Sequence, residues 1–587
     1  MLNTIIIRDA AKGRWLRFAN PIEIIHADDV REVLPKLQLT ETTAYRRQAY
    51  AAGFISYEAA PAFDAAYKTR LPTSFPLLWF GIYEKPEITD LPKPVGDSFP
   101  TFNWSLTVDR KRYVDVIARI KRYIERGETY QVNYTIRQYA EFSNDPWRLF
   151  LSIVGNAPYG AFLDIGDYAI CSASPELFFD FRRGHLISRP MKGTAQRGRT
   201  NEEDRQLGET LYRSEKDRAE NVMIVDMMRN DIGRIAAMGS VNVPKLFDIE
   251  KYSTVWQMTS TVTARTDASV SAIIAALFPC ASITGAPKVN TMKIIADIED
   301  TSRNIYTGSI GYIAPGGDAQ FNVAIRTALI DRVKNRIDYG IGGGVVWDSV
   351  DSLEYEECLL KAKVVTEAQH NTSFSLLETI LWTQQTGYFL LRYHLDRIRA
   401  SADYFDFSYS AADINNALKS IESSFQGVEH KVRLLLEKDG TVACQYEPLS
   451  RSMAAAPKRI RIAQEPVDST NPFLFHKTTN RRVYESARAN FPDYDDVLLW
   501  NEKGEVTESC VSNIVISSEG ELITPPVQCG LLNGTYRSFL LEQNEINEKT
   551  ISLDEITKAA KIYLINSVRK WQEARLDHPT IRDYSSF

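Results

Sequence analysis

The run SRPMKGT sets Lys192 between a proline-anchored turn and a glycine. Pro190 fixes its own backbone, and Gly193 lets the chain approach a ligand closely. A lysine held this way is a nucleophile when its ammonium is desolvated or sits beside another cation. In a solvated loop it is not. Asp217 and Glu220 lie three residues apart in a helical run, as do Glu354 and Glu357, with Lys361 one turn beyond Glu357. Residues at that spacing share a helix face, so each pair presents two carboxylates together. Solvated helix faces and ordinary i,i+4 ion pairs do the same. A second lysine, Lys477, stands in FLFHKTTNRRVYESAR, read as the head of a helix, and LLNGTYRSFLLEQ reads as a glycine loop running into another helix.

The elements that must position these residues belong to a chain of ordinary globular make-up. Its 587 residues predict more than one domain. It is 44% apolar and 25% charged, with net charge −6. That mild acidity argues against nucleic-acid binding, which needs clustered basic residues. No apolar run reaches membrane-spanning length, and MLNTIIIRDAAKGRW reads as neither a signal peptide nor an anchor. Six scattered cysteines with no Cys-x-x-Cys pair argue against a disulfide framework or zinc site and fit a reducing cytoplasm.

Strands are predicted at 53–57, 77–83, 168–172 and in GETYQVNYT, which places Gln131 on a strand. A hairpin through 182–184 delivers the chain to Lys192. Helices are predicted over 108–127, ending near Gly127, over SEKDRAENVMIVDMMRNDIGRIA, and over DSLEYEECLLKAKVV after the glycine-dense run 340–346. The sequence 306–328 reads as a hairpin turning at 316–317. The proline-rich stretch 84–100 reads as a surface connection, and the polar run 366–374 as a domain boundary. Beyond it the pattern restarts with LLETILW, a turn at Gly387, the helix RYHLDRIRASADYF and strands on either side of a turn at 503–504.

Residues from about 105 to 366 resemble the chorismate-utilising enzymes, which include anthranilate synthase large subunits, aminodeoxychorismate synthase component I and isochorismate synthases. The matching stretches, in order, are GETYQVN, SASPELF, RPMKGT, AENVMIVDMMRNDIGR, TGAPK, YTGSIGY, AIRTA and GGGVVWDSVDSLEYEECLLKA. The resemblance makes Glu220 and Glu357 ligands of Mg²⁺, with Asp217 and Glu354 close by. A partly hydrated Mg²⁺ held by one or two carboxylates keeps positions for a substrate oxygen. Arg326 and Lys361 match positions that face a substrate carboxylate, which arginine grips with two hydrogen bonds. The N–H groups of Gly343 and Gly344 add to that grip. Tyr306 and Thr284 either line the same pocket or pack beneath it.

Three positions select the reaction that the resemblance implies. Gln131 stands where water-adding relatives carry a lysine base, and an amide does not activate water. Lys192 stands where anthranilate synthases carry alanine and aminodeoxychorismate synthases carry a lysine nucleophile. No histidine occurs between His185 and His370, the interval from which anthranilate synthases draw the residue that completes pyruvate elimination. The implied sequence is protonation of the ring hydroxyl by Glu176, attack of Lys192 at ring carbon 2, and addition of ammonia at carbon 4 with expulsion of the lysine. The implied partner is a glutamine amidotransferase that supplies the ammonia.

Residues 374–587 resemble the fold-type IV pyridoxal-phosphate enzymes, which include branched-chain and D-amino-acid aminotransferases and aminodeoxychorismate lyase. Lys477 matches the lysine that holds the cofactor covalently, and Glu508, in VTESCVSN, the carboxylate that keeps the cofactor's ring nitrogen protonated. Arg397, in HLDRIRAS, matches the phosphate-binding arginine. Gly534 and Thr535 open a helix whose N–H groups favour a phosphate. Tyr536 replaces a frequent threonine, and Ser512 and Asn513 support phosphate and ring. Many relatives carry a longer stretch before LLET; here the domain begins almost at Leu376.

The expectation is an α/β plus α+β chain. Residues 1–366 would form a chorismate-utilising sandwich with antiparallel sheets, and residues 374–587 a two-lobed, D-aminotransferase-like fold-type IV domain. Together they would turn chorismate into 4-amino-4-deoxychorismate and then 4-aminobenzoate for folate, in the cytoplasm, with Mg²⁺ and pyridoxal phosphate and with a homodimer through the second domain. The rivals are an anthranilate synthase first domain, an aminotransferase second domain, and a cofactor-free partner-binding second domain.

Overall fold

The computed structural model describes residues 2–92, 102–252, 254–366, 374–449, 456–518 and 520–577. The boundary expected at 366–374 and the later half of the 84–100 connection lie largely outside the described residues. The chain divides into two compact units. One comprises Met1–Gln196 and Gly208–Asn371, the other Arg197–Leu207 and Thr372–Phe587.

The first unit is built on two ten-stranded antiparallel sheets. One carries Gln131–Glu141 beside Arg336–Val345, and the other has Met191–Gln196 at its edge, paired with Val255–Arg265. Alternation along the strands sorts side chains into layers. Phe54, Trp79 and Tyr83 join Ile5, Phe18 and Leu163 in a core between the sheets. Their neighbours Ile55, Phe80 and Ile82 face helices Val30–Arg46, Glu215–Gly233 and Val270–Leu277. Helices Arg110–Glu125, Lys288–Ile298 and Asp351–Thr366 cover the other sheet. The first of these is capped by Asp109 and ends at Arg126, with Gly127 following at φ +69°.

The second unit has two lobes. A four-stranded antiparallel sheet packs Leu376, Ile380 and Val432 against helices Leu391–Phe405 and Ala411–Glu422. A mixed eight-stranded sheet holds its own core around Ile460, Leu498 and Ile514. The segment Arg197–Leu207 belongs to this unit. Arg197 and Asp204 form a buried ion pair at 2.7 Å, the guanidinium lies 4.5 Å from the Tyr404 ring, and the Tyr404 hydroxyl donates to the Gly198 carbonyl at 2.7 Å.

Candidate active sites

In the first unit a cavity of about 150 Å³ gathers residues that are far apart in sequence. Lys192 reaches it from the strand Met191–Gln196, not from a loop as its proline and glycine suggested. The strand bulges between Met191 and Thr194, and Gly193 sits there at φ +98°. A Cβ on Gly193 would lie 3.1 Å from Asp217 Cβ. Bulges re-aim side chains, and this one turns Lys192 toward the glycine-rich strand Arg336–Val345. A Cβ on Gly344 would stand 2.2 Å from Lys192 Nζ and 2.3 Å from Gln131 Nε2. The missing side chain thus lets an amine and an amide lie close together. Both amide atoms of the fully buried Gln131 lack a hydrogen-bond partner among the described residues.

Glu176 closes one wall. It is buried and accepts a 2.6 Å hydrogen bond from Ser282. Burial pushes its carboxyl up to about 7, against the pull of Ser282 and Lys192. Arg326 lines the cavity at φ +50°, a backbone conformation that costs a non-glycine residue about 1 kcal/mol or more. Its guanidinium has no carboxylate partner among the described residues. Tyr306 packs under Gly340, where a Cβ would strike its ring at 2.2 Å, and the Arg137 guanidinium lies 4.9 Å from that ring.

Asp217 and Glu220 enter from helix Glu215–Gly233, and Glu354, Glu357 and Lys361 from helix Asp351–Thr366. Burial holds Glu220 above the usual carboxylate range, although Lys192 and Lys216 oppose it. Glu357 is instead held below that range: burial opposes this, but the Lys361 ammonium 2.7 Å away prevails. Lys361 also donates to the Gly342 carbonyl at 2.9 Å. Gly343 and Gly344 line the wall. Thr284 does not: its fully buried hydroxyl donates to the Cys280 and Ala281 carbonyls at 3.1 and 3.2 Å. Its short side chain follows a tight turn and serves that turn.

Sequence reasoning missed Ser282, Lys216 and Tyr339 on this wall. It also missed Arg303, a buried guanidinium that bonds the Ile283 and Asn133 carbonyls, both at 2.8 Å, and Glu299. Those contacts join three segments that carry site residues. A signal was present in the IEDTSRN run, where a buried arginine requires paired charges.

In the second unit Lys477 lies five residues before helix Arg482–Ala489, so it is not at the helix head. Its segment pairs with the sheet instead, and the Leu377 N–H donates to the Lys477 carbonyl at 2.9 Å. Burial first, then the Arg397 guanidinium, pulls the amine down to about 8. It has no hydrogen bond or ion pair among the described residues.

Arg397 grips Glu378 with bonds of 2.8 and 2.6 Å and reaches the Asn533 carbonyl at 3.2 Å. Glu378 also meets His394 Nδ1 at 2.6 Å, and His394 Nε2 lies 3.3 Å from the Thr535 hydroxyl. Burial alone would raise Glu378; Arg397 and His394 instead bring it down to about 2. Thr535 begins helix Thr535–Glu542, and a Cβ on Gly534 would collide with Asn513 Oδ1 at 1.9 Å.

Glu508 is buried, which raises it to about 7, and it accepts from Tyr484 at 2.8 Å, from the Leu532 N–H at 3.1 Å and from Asn513 at 3.3 Å. Ser512 accepts from Asn566 at 3.0 Å. Tyr536 turns its ring into an apolar cluster with Val515, Leu540 and Ile565, stacked on Phe539, because burying that aromatic area outweighs a polar contact. Glu378 and His394 were not foreseen as parts of this site.

An antiparallel sandwich with a mixed-charge cavity, followed by a two-lobed α+β unit, defines a chorismate-binding fold joined to a fold-type IV aminotransferase-like fold. Residues 3–367 match the chorismate binding enzyme family, and the chain belongs to that family. Residues 375–576 match amino-transferase class IV. The aminodeoxychorismate synthase component 1 of Salmonella typhimurium is 41% identical over 275 residues, 46% of this chain and 60% of that protein. The anthranilate synthase component 1 of Aquifex aeolicus is 38% identical over 280 residues, 47% of this chain and 56% of that one. The chain therefore spans about 60% of the length of the curated relatives it matches. In fold, anthranilate synthase component I from Streptococcus pneumoniae superposes with a TM-score of 0.53 at 24% identity, covering 62% of this chain and 92% of that one. No helix among the described residues is long and apolar enough to cross a membrane.

Proposed function

We propose that the chain makes 4-aminobenzoate in two steps: residues 1–366 aminate chorismate to 4-amino-4-deoxychorismate, and residues 374–587 remove pyruvate from that intermediate. The observation that carries the reading is the meeting of Lys192, Glu176 and Arg326 around one cavity, with the Gln131 amide close to Lys192 across Gly344. Similarity to an anthranilate synthase is nearly as high as to aminodeoxychorismate synthases, so overall identity does not choose the product. Lys192 and the lack of histidines between His185 and His370 favour the aminated intermediate.

Arg326 binds a substrate carboxylate. Glu176, whose carboxyl burial lifts to about 7, keeps its proton in a sizeable fraction of molecules in neutral solution and delivers it to the departing ring hydroxyl, which leaves as water. The Lys192 amine attacks ring carbon 2 as the double bond shifts. Ammonia then bonds to carbon 4, and the carbon–nitrogen bond to Lys192 breaks. Gln131 offers an amide in place of a base. Ammonia is taken from a glutamine amidotransferase partner.

Glu220 makes no hydrogen bond or ion pair among the described residues, and with Glu357, which lines the same cavity, it fits a Mg²⁺ ion, which needs only one or two protein carboxylates. When bound there, Mg²⁺ neutralises substrate carboxylate charge. In the second unit, a lysine with a depressed pKa, a glycine approach at Gly534 and a helix N-terminus beside Arg397 fit pyridoxal phosphate. When bound, that cofactor supplies an electron sink. Arg397 and Thr535 would hold its phosphate, and Glu508 its ring nitrogen. The Lys477 amine removes the proton from ring carbon 4. A homodimer through 374–587 completes the proposal; a monomeric boundary in sedimentation would remove it.

The test is a product assay with chorismate, Mg²⁺, pyridoxal phosphate and an ammonium salt. Wild type should yield 4-aminobenzoate and pyruvate. Lys477→Ala should accumulate 4-amino-4-deoxychorismate, and Lys192→Ala should lose most flux. Anthranilate as the product would overturn the first assignment, and arrest at the aminated intermediate with wild type the second.

A further inference from the structure

Arg326 acts electrostatically on two tyrosines, Tyr252 and Tyr339. The Tyr252 ring lies 5.6 Å from the guanidinium, and its hydroxyl donates to Glu250 at 2.8 Å and to the Pro175 carbonyl at 3.3 Å. Tyr339 differs. It lines the cavity, its side chain is buried, and its hydroxyl has no partner among the described residues. A buried hydroxyl left unpaired costs about 1–3 kcal/mol, and native proteins seldom leave one without a purpose. A guanidinium without a carboxylate and a phenol without an acceptor stand on the same wall. Both are donors, and a carboxylate has enough lone pairs to accept from both. Burial keeps the phenol protonated at neutral pH despite the nearby guanidinium, so it remains a donor.

We propose that the Tyr339 O–H donates to the substrate carboxylate that Arg326 binds, which makes Tyr339 a specificity-determining residue of the first site. The inference rests on the chorismate reading above. The contact would be present in ground and transition states alike, so it should act on KM and leave kcat alone.

The experiment compares Tyr339→Phe with Tyr134→Phe. The Tyr134 hydroxyl is also buried without a partner among the described residues, but Tyr134 does not line the cavity. Chorismate affinity is read by calorimetry without ammonia, turnover with an ammonium salt, and stability by thermal unfolding. Tyr339→Phe should raise both Kd and KM for chorismate about tenfold, as expected for a hydrogen bond to a charged group, with kcat within about twofold. Its melting temperature should hold or rise, because an unsatisfied hydroxyl is removed. Tyr134→Phe should share the stability effect and leave Kd unchanged. Unchanged chorismate binding by Tyr339→Phe, or equal weakening by both variants, overturns the proposal while the functional reading stands. A wild type that binds no chorismate sinks the functional reading itself.

Discussion

The two sites treat their polar groups in opposite ways. In the first unit, Gln131 and Tyr339 are buried with hydrogen-bonding atoms free among the described residues, and Arg326 has no carboxylate partner there. In the second unit, the groups around the unpartnered Lys477 are tied to one another: Arg397 to Glu378, Glu378 to His394, and Glu508 to Tyr484 and the Leu532 N–H. One site holds its donors ready within a pair of sheets. The other stabilises its charges through an internal chain of bonds, so it can be damaged by residues that touch no ligand.

That contrast is broken most severely at Glu378. Glu378→Ala leaves the half-buried Arg397 and the buried His394 without their anion and should cost about 3–5 kcal/mol in the second unit. The loss is checked by denaturant unfolding, with chorismate consumption by the first unit as the control. The pH dependence has a definite sign. Glu378 lies well below its unfolded value, so its stabilisation is complete above about pH 5 and lost as pH falls toward about 2. A second-unit transition insensitive to the substitution would show that the network is ornamental.

Glu176→Gln probes the opposite unit and should lower amination about 10²- to 10⁴-fold. Wild-type amination should fall as pH rises through about 7, when Glu176 loses its proton, and the variant should lose that limb. Lyase activity on supplied 4-amino-4-deoxychorismate should be unaffected. Gly344→Ala comes next. The atoms nearest its new Cβ would be the far ends of Lys192 and Gln131, so the protein should fold while amination drops about 100-fold from displaced groups. A Gly344→Ala enzyme with wild-type turnover would show that the closeness of amine and amide is unimportant.

Much of the first site was legible because its residues sit in compact motifs whose types declare their chemistry. What local pattern does not encode is direction. Thr284 is two residues from Ser282, yet Ser282 meets Glu176 while Thr284 folds back on its own turn. The bulge that aims Lys192 depends on pairing with Val255–Arg265, about sixty residues away in the chain. In the second unit, Glu378 carried a readable warning. A carboxylate inside the apolar strand LLETILW must be paired if it is buried. His394, sixteen residues on, gave no such sign. Arg197–Leu207 was the least legible element, since its charges pair within the segment while Arg197 and Arg199 lie against the rings of Tyr404 and Phe475, far downstream in the chain.

The smallest expected effect tests how tightly the second site is wired. Tyr484 donates to Glu508 at 2.8 Å and restrains the rise that burial imposes on that carboxyl. Tyr484→Phe removes the donor but keeps the ring, so Glu508 should move further above about 7. A carboxyl raised in the folded state is destabilising once ionised, so its stability contribution declines as pH climbs through the folded value. At pH 7 a smaller fraction of Glu508 would then be charged. Lyase activity at pH 7 should fall by up to about fivefold, in keeping with a shift of up to one pH unit, and recover toward pH 9. Amination should be untouched, because Tyr484 belongs to the second unit. A loss equal at every pH would mean that the phenol matters for packing, and that Glu508 is held by the Leu532 N–H and Asn513 alone.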